Sequence, residues 1–143
     1  MKMRFPLLLL LSVLLALSAG CGRKKHVVTP TGGIPATAAQ GKFTLKDMRE
    51  AILKGCESAQ WHTTEIDANT IEAMSSAGKG KHGAVVLIPY TATAYSINYK
   101  SSSNMKYESK DDGTATIHRG YNKLVRKLDE AIKAQLAPKQ TPE

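Results

Sequence analysis

Residues 84–88 read Ala-Val-Val-Leu-Ile, and this stretch decides the fold. Apolar side chains occupy both faces of the run, which predicts a central strand that helices cover on at least one side. The glycine-rich segment at residues 78–81 and the segment Pro-Tyr-Thr-Ala at residues 89–92 are typical of turns. The sequence therefore predicts a sheet whose middle strand lies between these two turns.

Further strands are predicted on both sides of this run. Residues 61–66 are rich in aromatic and β-branched side chains, residues 67–69 read Asp-Ala-Asn, and residues 70–75 alternate, which predicts a hairpin. Residues 95–100 also alternate and place two tyrosines and an isoleucine on one face, as in a half-exposed strand. Short flanking strands are predicted at residues 105–107 and 114–117.

Two amphipathic helices are predicted, one before the strands in the sequence and one after them. The first has apolar residues at spacings of three and four, namely Leu45, Met48, Ile52 and Cys56. Thr44 with Asp47 resembles a capping box at its start, and we expect its end between residues 55 and 60. The second helix shows the same spacing over residues 121–136, and Pro138 ends it.

These elements predict an α+β fold, a two-layer sandwich in the order helix, four-stranded antiparallel meander, helix. We expect one globular domain at residues 43–136, because a chain of 143 residues with a removable N-terminus is too short for two ordinary domains. Residues 137–143 are predicted to form a disordered C-terminal tail.

The N-terminus has the features of an export signal. Lys2 and Arg4 precede an apolar run at residues 7–17, and small residues lead into Cys21. The run is too short to span about 30 Å of hydrocarbon as a stable anchor. We therefore expect a signal peptide at residues 1–20 that is removed by cleavage.

The small residues before Cys21 resemble the lipobox of bacterial lipoproteins, although Leu17 stands four residues before the cysteine rather than three. The resemblance implies that Cys21 carries lipid and anchors the protein in a bilayer. Gly22, in place of Asp, resembles lipoproteins sorted to the outer membrane, which implies an outer-membrane location facing the periplasm. The alternative is a soluble periplasmic protein with a chance cysteine.

Residues 21–42 have a basic start followed by Thr, Pro, Gly and Ala without periodicity, so we expect a flexible tether behind the lipidated cysteine. Arg23, Lys24 and Lys25 either add about 1 kcal/mol each against an anionic leaflet or form a solvated spacer. The formal charge of +8 falls to +6 when the two basic residues of the signal are removed. Because an exported basic protein meets anionic lipids and cell-wall polymers, we expect such partners and no nucleic acid.

Cys56 is the remaining cysteine if Cys21 is acylated, and an internal disulfide is then excluded. Thiolate catalysis needs a nearby base, for which His62 and His118 are the candidates. Cys56 lies in the apolar stripe of the first helix, however, so we expect a buried thiol and no catalytic residue. The histidines are far apart, and His62 lies on the opposite strand face from Glu65, so no metal site and no cofactor are predicted.

Residues 77–83 are basic and glycine-rich next to a strand, but they lack the Walker pattern of phosphate-binding loops. We expect a solvated turn there, and Lys79 and Lys81 are candidate contacts if it binds anions. Tyr95 and Tyr99 are expected to line the core, and their alternative role is a contact surface for a peptide or glycan.

Several short motifs resemble a family of small, uncharacterised proteobacterial lipoproteins. They are Trp61 and the segments at residues 82–90, 95–99, 103–107 and 117–122. The resemblance implies an envelope lipoprotein with a short α+β domain, and it offers no catalytic residue. It makes His118, Tyr121 and Asn122 the polar candidates for contact with a ligand or partner.

The sequence as a whole predicts a membrane-anchored bacterial envelope lipoprotein that is not an enzyme. Its expected partners are the lipid bilayer and an envelope protein or cell-wall component. The alternatives are an inhibitor of a cell-wall hydrolase and, less favoured, an enzyme that depends on Cys56 and a histidine.

Overall fold

The computed structural model describes residues 23–33, 43–77 and 79–137. The predicted signal peptide, Cys21 and residues 34–42 of the predicted tether lie outside the described residues, as do residues 138–143 of the predicted tail. In the described ranges, the elements in chain order are β1 (Lys24–His26), β2 (Thr31–Gly33), α1 (Leu45–Ser58), β3 (His62–Asp67), β4 (Thr70–Ala77), β5 (His82–Pro89), β6 (Ala94–Ser96), β7 (Asn98–Ser103), β8 (Glu108–Ser109), β9 (Ala115–His118) and α2 (Arg119–Leu136).

The main sheet has the strand order β3-β4-β5-β7 and is antiparallel throughout. β5 pairs with β4 on one side and β7 on the other, which confirms that the apolar run is a central strand. An α+β fold with a four-stranded antiparallel sheet is likewise confirmed. Along β5, Ala84, Val86 and Ile88 are fully buried, whereas Val85 and Leu87 are partly exposed, so one face of the sheet carries the core.

The two helices pack against each other, and their apolar faces join the buried face of the sheet in one core. α1 begins with the predicted capping box, in which the Asp47 N–H donates to Thr44 Oγ1 (3.2 Å) and the Thr44 N–H donates to Asp47 Oδ2 (2.7 Å). Asp47 Oδ2 also accepts from the Thr44 hydroxyl (2.6 Å), and this hydrogen bond, followed by the one from the Thr44 N–H, lowers the pKa of Asp47. Gly55 allows the helices to cross closely, because a Cβ atom there would lie 2.7 Å from the Cα atom of Ile132.

The predicted strand at residues 95–100 is divided in the structure. Its first part belongs to β6, which pairs with β2, and its second part belongs to β7, which pairs with β5. Between them, the Ile97 N–H donates to the Pro30 carbonyl (2.9 Å). The division follows from the close approach of β2: Gly32 packs directly on the ring of Tyr95, where a Cβ atom would lie 2.4 Å from ring atoms.

The prediction of a flexible tether at residues 21–42 is wrong for the two segments that form β1 and β2. β1 pairs with β9, placing Lys25 opposite Ile117, and β2 pairs with β6. Val27 and Val28, between these strands, pack against the core. Three-residue strands are too short to show a period of two, and their hydrogen-bond partners lie far along the chain, so this pairing is not visible in the local pattern.

The small sheet beside α2 has the order β1-β9-β8. β9 agrees with the short strand predicted at residues 114–117, whereas β8 lies just beyond the other predicted segment, residues 105–107. Met105 is buried instead, and its carbonyl accepts a hydrogen bond from the His118 N–H (2.7 Å). The end of β9, directly before α2, is thereby fixed to Met105.

Candidate functional site

A groove opens beside α2, between that helix, β1 and the neighbouring ends of β4 and β5, with a cavity volume of about 1170 Å³. We call it the basic groove. Its lining residues are Lys25, His26, Val28, Ala77, His82, Met105, His118, Arg119, Gly120, Asn122, Lys123, Leu124, Arg126, Lys127 and Glu130. Two of the predicted contact residues, His118 and Asn122, are therefore brought together at one site.

Positive charge dominates the basic groove. Its cationic side chains are Lys25, Arg119, Lys123, Arg126 and Lys127. Glu130 is the single carboxylate of the lining, so the groove has a formal charge of +4 with its histidines neutral. A concave surface of one charge sign raises the local concentration of oppositely charged ligands. The groove is thus suited to an anion.

None of the five cations of the groove has an ion-pair partner among the described residues. The ion pairs in that part of the chain join Lys24 to Glu108, Arg49 to Glu65, Lys100 to Glu72 and Lys133 to Asp129. Most of the charge of the groove is therefore left to act on an external anion.

α2 presents most of this charge because of its spacing. Arg119, Lys123 and Lys127 are four residues apart and lie on one helix face, and the opposite face buries residues such as Val125 and Leu128. Like charges at this spacing destabilise an isolated helix by about 0.2–0.5 kcal/mol per pair. Burial of the apolar face offsets this cost and holds the basic face toward the groove.

His118 caps the first turn of α2. Its Nδ1 atom accepts a hydrogen bond from the Gly120 N–H (3.1 Å). Accepting at Nδ1 fixes the neutral ring with its proton on Nε2. His118 therefore shapes the wall of the groove and keeps the start of the helix in place.

Asn122 connects the two walls of the groove. Its Nδ2 atom donates to the His26 carbonyl (2.7 Å), and its Oδ1 atom accepts from the Val28 N–H (3.2 Å). Both ends of the amide are thus occupied by the backbone at the end of β1 and just after it, and the residue is largely buried. Asn122 positions Lys25 and His26 against α2 and is a structural residue of the site.

Tyr121 does not fit its predicted role as a contact residue, because its side chain is fully buried. Its ring meets the edge of Tyr99 with 5.5 Å between centroids, and Tyr99 stacks on Tyr107 at 4.2 Å. Burial raises the pKa of the Tyr121 phenol, whose hydroxyl has no hydrogen-bond partner among the described residues. Tyr121 is therefore a core residue and not a contact residue.

Lys79 and Lys81 are exposed and do not line the basic groove. The turn that carries them is held from the side: Asn104 Nδ2 donates to the Lys81 carbonyl, and His82 Nδ1 donates to the Asn104 carbonyl (3.1 Å). The structure therefore separates these two lysines from His118 and Asn122. Anion binding by the turn stays a prediction.

The tyrosines of the sheet serve mainly the core. Tyr95 is buried and its hydroxyl donates to Asp129 Oδ1 (2.7 Å), and burial raises the pKa of this phenol. Tyr99 is half-buried and borders a second cavity of about 500 Å³, whose lining contains no Lys, Arg, Asp or Glu. Of these two cavities, the basic groove is strongly charged and the second cavity is not.

Cys56 is fully buried in the core, and this burial raises the pKa of its thiol to about 12. The nucleophilic form of cysteine is the thiolate, which this environment disfavours at neutral pH. Among the described residues, no group of three or more His, Cys, Asp or Glu side chains is placed to hold a metal ion. The predicted burial of Cys56 is confirmed.

The residues of the site that the sequence analysis misses are Arg119, Lys123, Arg126 and Lys127. Lys25 is expected there at an anionic leaflet or in a solvated spacer, and not in a groove with α2. Basic residues on the outside of a terminal helix look like an ordinary solvated face, and Lys25 looks like part of a linker. The available signal is a spacing of three and four among the cations over residues 119–127, a stretch that contains no carboxylate. The contribution of β1 is visible in the structure alone.

In the described part of the chain, neither helix has the length and apolar character needed to cross a membrane. Comparisons of the whole chain with protein-family models, with curated proteins and with solved structures found no match. The resemblance to small proteobacterial lipoproteins therefore stays a prediction.

Proposed function

We propose that this chain is a lipid-anchored lipoprotein of the bacterial envelope whose domain binds an anionic, phosphate-bearing envelope component without catalysing a reaction. The observation that carries the proposal is the set of five groove cations without ion-pair partners among the described residues. Phosphate groups are the common anions of lipids and polymers in the bacterial envelope. Arg and Lys bind them through charge-assisted hydrogen bonds.

The anchor in this proposal is Cys21, supported by the export signal and the lipobox-like residues before it. Gly22 supports sorting to the outer membrane, with the domain in the periplasm. Membership of the small proteobacterial lipoproteins is part of the same proposal and is supported by the motifs around Trp61 and residues 82–90.

A binding role without catalysis is supported by the state of the most plausible nucleophile. Cys56 is buried and its pKa of about 12 keeps the thiol protonated, so the alternative of a Cys/His-dependent enzyme loses its reactive group. His118, one of the two candidate bases in that alternative, is engaged in capping α2. The groove offers charge and shape in place of a nucleophile.

The finer layout that we propose for the domain is the two-layer sandwich of helix, antiparallel meander and helix, extended at its N-terminal side by β1 and β2. The packing of both helices into one core supports it. In this layout the basic face of α2 lies outside the core and is free to bind.

The proposal has two parts that are tested on one preparation. The full-length protein is expressed in a bacterium that processes lipoproteins and is purified from membranes in a non-ionic detergent. Its intact mass reports whether Cys21 is the acylated N-terminus. A mass without acyl chains would contradict the anchor.

Polyphosphate is the probe for the second part, and its affinity is measured by titration. The groove variant carries Lys123→Gln, Arg126→Gln and Lys127→Gln. The matched control carries Lys46→Gln, Lys54→Gln and Lys110→Gln, which removes the same charge from exposed positions outside the groove. Since one charge-assisted hydrogen bond contributes about 1.5 kcal/mol or more, we expect the groove variant to bind at least about tenfold more weakly. Equal loss in both variants would contradict a specific role of the groove.

A further inference from the structure

We infer that the basic groove faces the membrane that holds Cys21 and that its cations bind the phosphate groups of anionic phospholipids in that membrane. The inference rests on the proposed lipid anchor and names the ligand class of the proposed binding site. With the groove bound to the membrane, the domain lies on the bilayer in a fixed orientation and is not held away from it by a long tether.

The first step is the short distance between the anchor and the groove. The Arg119 N–H donates to the Arg23 carbonyl (3.3 Å), and β1 pairs Lys24 with His118. The backbone from residue 23 is therefore fixed to the start of α2. Cys21 precedes Arg23 by two residues, and two residues of chain reach at most about 7 Å.

The second step is that the groove begins at this same point. Lys25 and Arg119 belong to its lining and lie next to the fixed backbone of Arg23. From Arg119 to Lys127 the helix rises about 12 Å, at about 1.5 Å per residue. A cysteine acylated within the bilayer thus places the near end of the groove at the headgroup layer, with the remaining cations within a few turns of helix.

The third step is the match of chemistry. The surface of an anionic leaflet presents many phosphate groups side by side, and a row of clustered Lys and Arg side chains is attracted to such a surface. Asn122 ties the backbone after β1 to α2, so the groove is built before the lipid arrives. Glu130 lies at the end of the row farthest from Arg23 along α2, so repulsion from the leaflet is smallest where the anchor holds the domain closest.

A bilayer is favoured over a soluble envelope polymer by the position of the anchor. A groove meant for a polymer gains nothing from beginning beside Arg23, which is at most about 7 Å along the chain from the acylated residue, because the membrane then competes with the polymer for the same surface. The predicted flexible tether would have kept the two apart, and β1 removes that freedom for residues 24–26. The observations therefore select the headgroup layer.

The experiment measures the depth of two labelled positions in the intact lipoprotein. Lys123→Cys places a fluorophore in the groove. The substitution also removes one groove cation, which weakens binding to the membrane and so reduces the expected quenching. Thr64→Cys places the fluorophore on β3, away from the groove. Cys56 is fully buried and does not compete for the label. Each protein is reconstituted into vesicles of phosphatidylcholine, with or without phosphatidylglycerol, that contain a lipid with a headgroup quencher.

We expect strong quenching at position 123 and weak quenching at position 64, with the difference largest when phosphatidylglycerol is present. Each cation near an anionic surface favours the membrane-facing orientation about fivefold. Adding Lys25→Gln, Arg126→Gln and Lys127→Gln should abolish most of the difference, whereas the Lys46, Lys54 and Lys110 control set should preserve it. Thermal unfolding of each variant verifies that the domain is folded.

Three results overturn the inference. Quenching at position 64 that equals or exceeds that at position 123 places the groove away from the bilayer. Polyphosphate binding by a groove that stays unquenched assigns it to a soluble polymer, and this leaves the proposed function standing. An intact mass without acyl chains on Cys21 removes the anchor, and with it both the proposed function and this inference.

Discussion

The thiol of Cys56 shows how a position in the core determines the chemistry of a residue. A cysteine on the buried face of α1 has no water to stabilise its charged form, and its pKa rises to about 12 for that reason. The same side chain on a surface would be a candidate nucleophile in an exported protein. In this protein the Cys56 side chain packs in the core as a small apolar group.

Native Cys56 should therefore resist alkylation. Between pH 7 and about 9 the thiol of the folded protein stays protonated and enclosed, because this range lies well below its pKa of about 12. We expect iodoacetamide to label Cys56 rapidly in denaturant and hardly at all in buffer, as read from the mass of the cysteine peptide. Rapid labelling of the folded protein at pH 7 would restore the enzyme alternative.

Gly55 is a residue whose importance comes from what packs on it. An added Cβ atom would lie 2.7 Å from the Cα atom of Ile132 in α2. Backbone atoms of a packed helix cannot move aside as the tip of a flexible side chain can. We predict that Gly55→Ala lowers the free energy of unfolding by about 1–3 kcal/mol despite the better helix propensity of alanine.

Urea unfolding checks the effect of Gly55→Ala. Ser58→Ala, at an exposed position of the same helix, is the control and should change stability by less than about 0.5 kcal/mol. A Gly55→Ala protein as stable as the wild type would mean that the helices do not cross as closely as described.

At the scale of elements, the sequence predicts those whose signals are local. α1 follows from Thr44, Asp47 and the apolar spacing, and β5 follows from its apolar run. β1 and β2 could not be predicted in this way, because each is three residues long and exists through pairing with β9 or β6. The basic groove depends on that pairing. Its position was therefore out of reach of sequence reasoning, although His118 and Asn122 pointed toward it.

The attachment of β1 to α2 is tested at Asn122. Asn122→Ala removes the acceptor for the Val28 N–H and the donor for the His26 carbonyl, and we expect a loss of about 1–3 kcal/mol in stability. Hydrogen exchange at the Val28 amide should become faster. Asn122→Asp keeps the acceptor for Val28 and should protect that amide better than Asn122→Ala does.

Gln135→Ala, at an exposed position of the same helix, controls for general effects on α2. Unchanged exchange at Val28 in Asn122→Ala would show that residues 26–28 are not held by this side chain. In that case the wall of the groove formed by β1 would lose its structural basis.

At the scale of the whole molecule, the fold gathers charge from separate parts of the sequence. Lys25 and the cations of α2 lie almost a hundred residues apart in the chain, yet β1 brings them to one groove next to the backbone of Arg23, two residues after the proposed anchor. The net charge of +8 is consistent with an envelope protein, but composition alone gives no location for that charge. The structure supplies the location.

Binding of phosphate-bearing anions by the groove cations is tested by the salt dependence of the affinity for polyphosphate. Screening weakens contacts between exposed charges as ionic strength rises. The wild type and the Lys46, Lys54 and Lys110 control set should lose affinity steeply with added salt, whereas the Lys123, Arg126 and Lys127 groove variant should bind weakly with a shallow dependence. A groove variant with the affinity and salt dependence of the wild type would contradict the account.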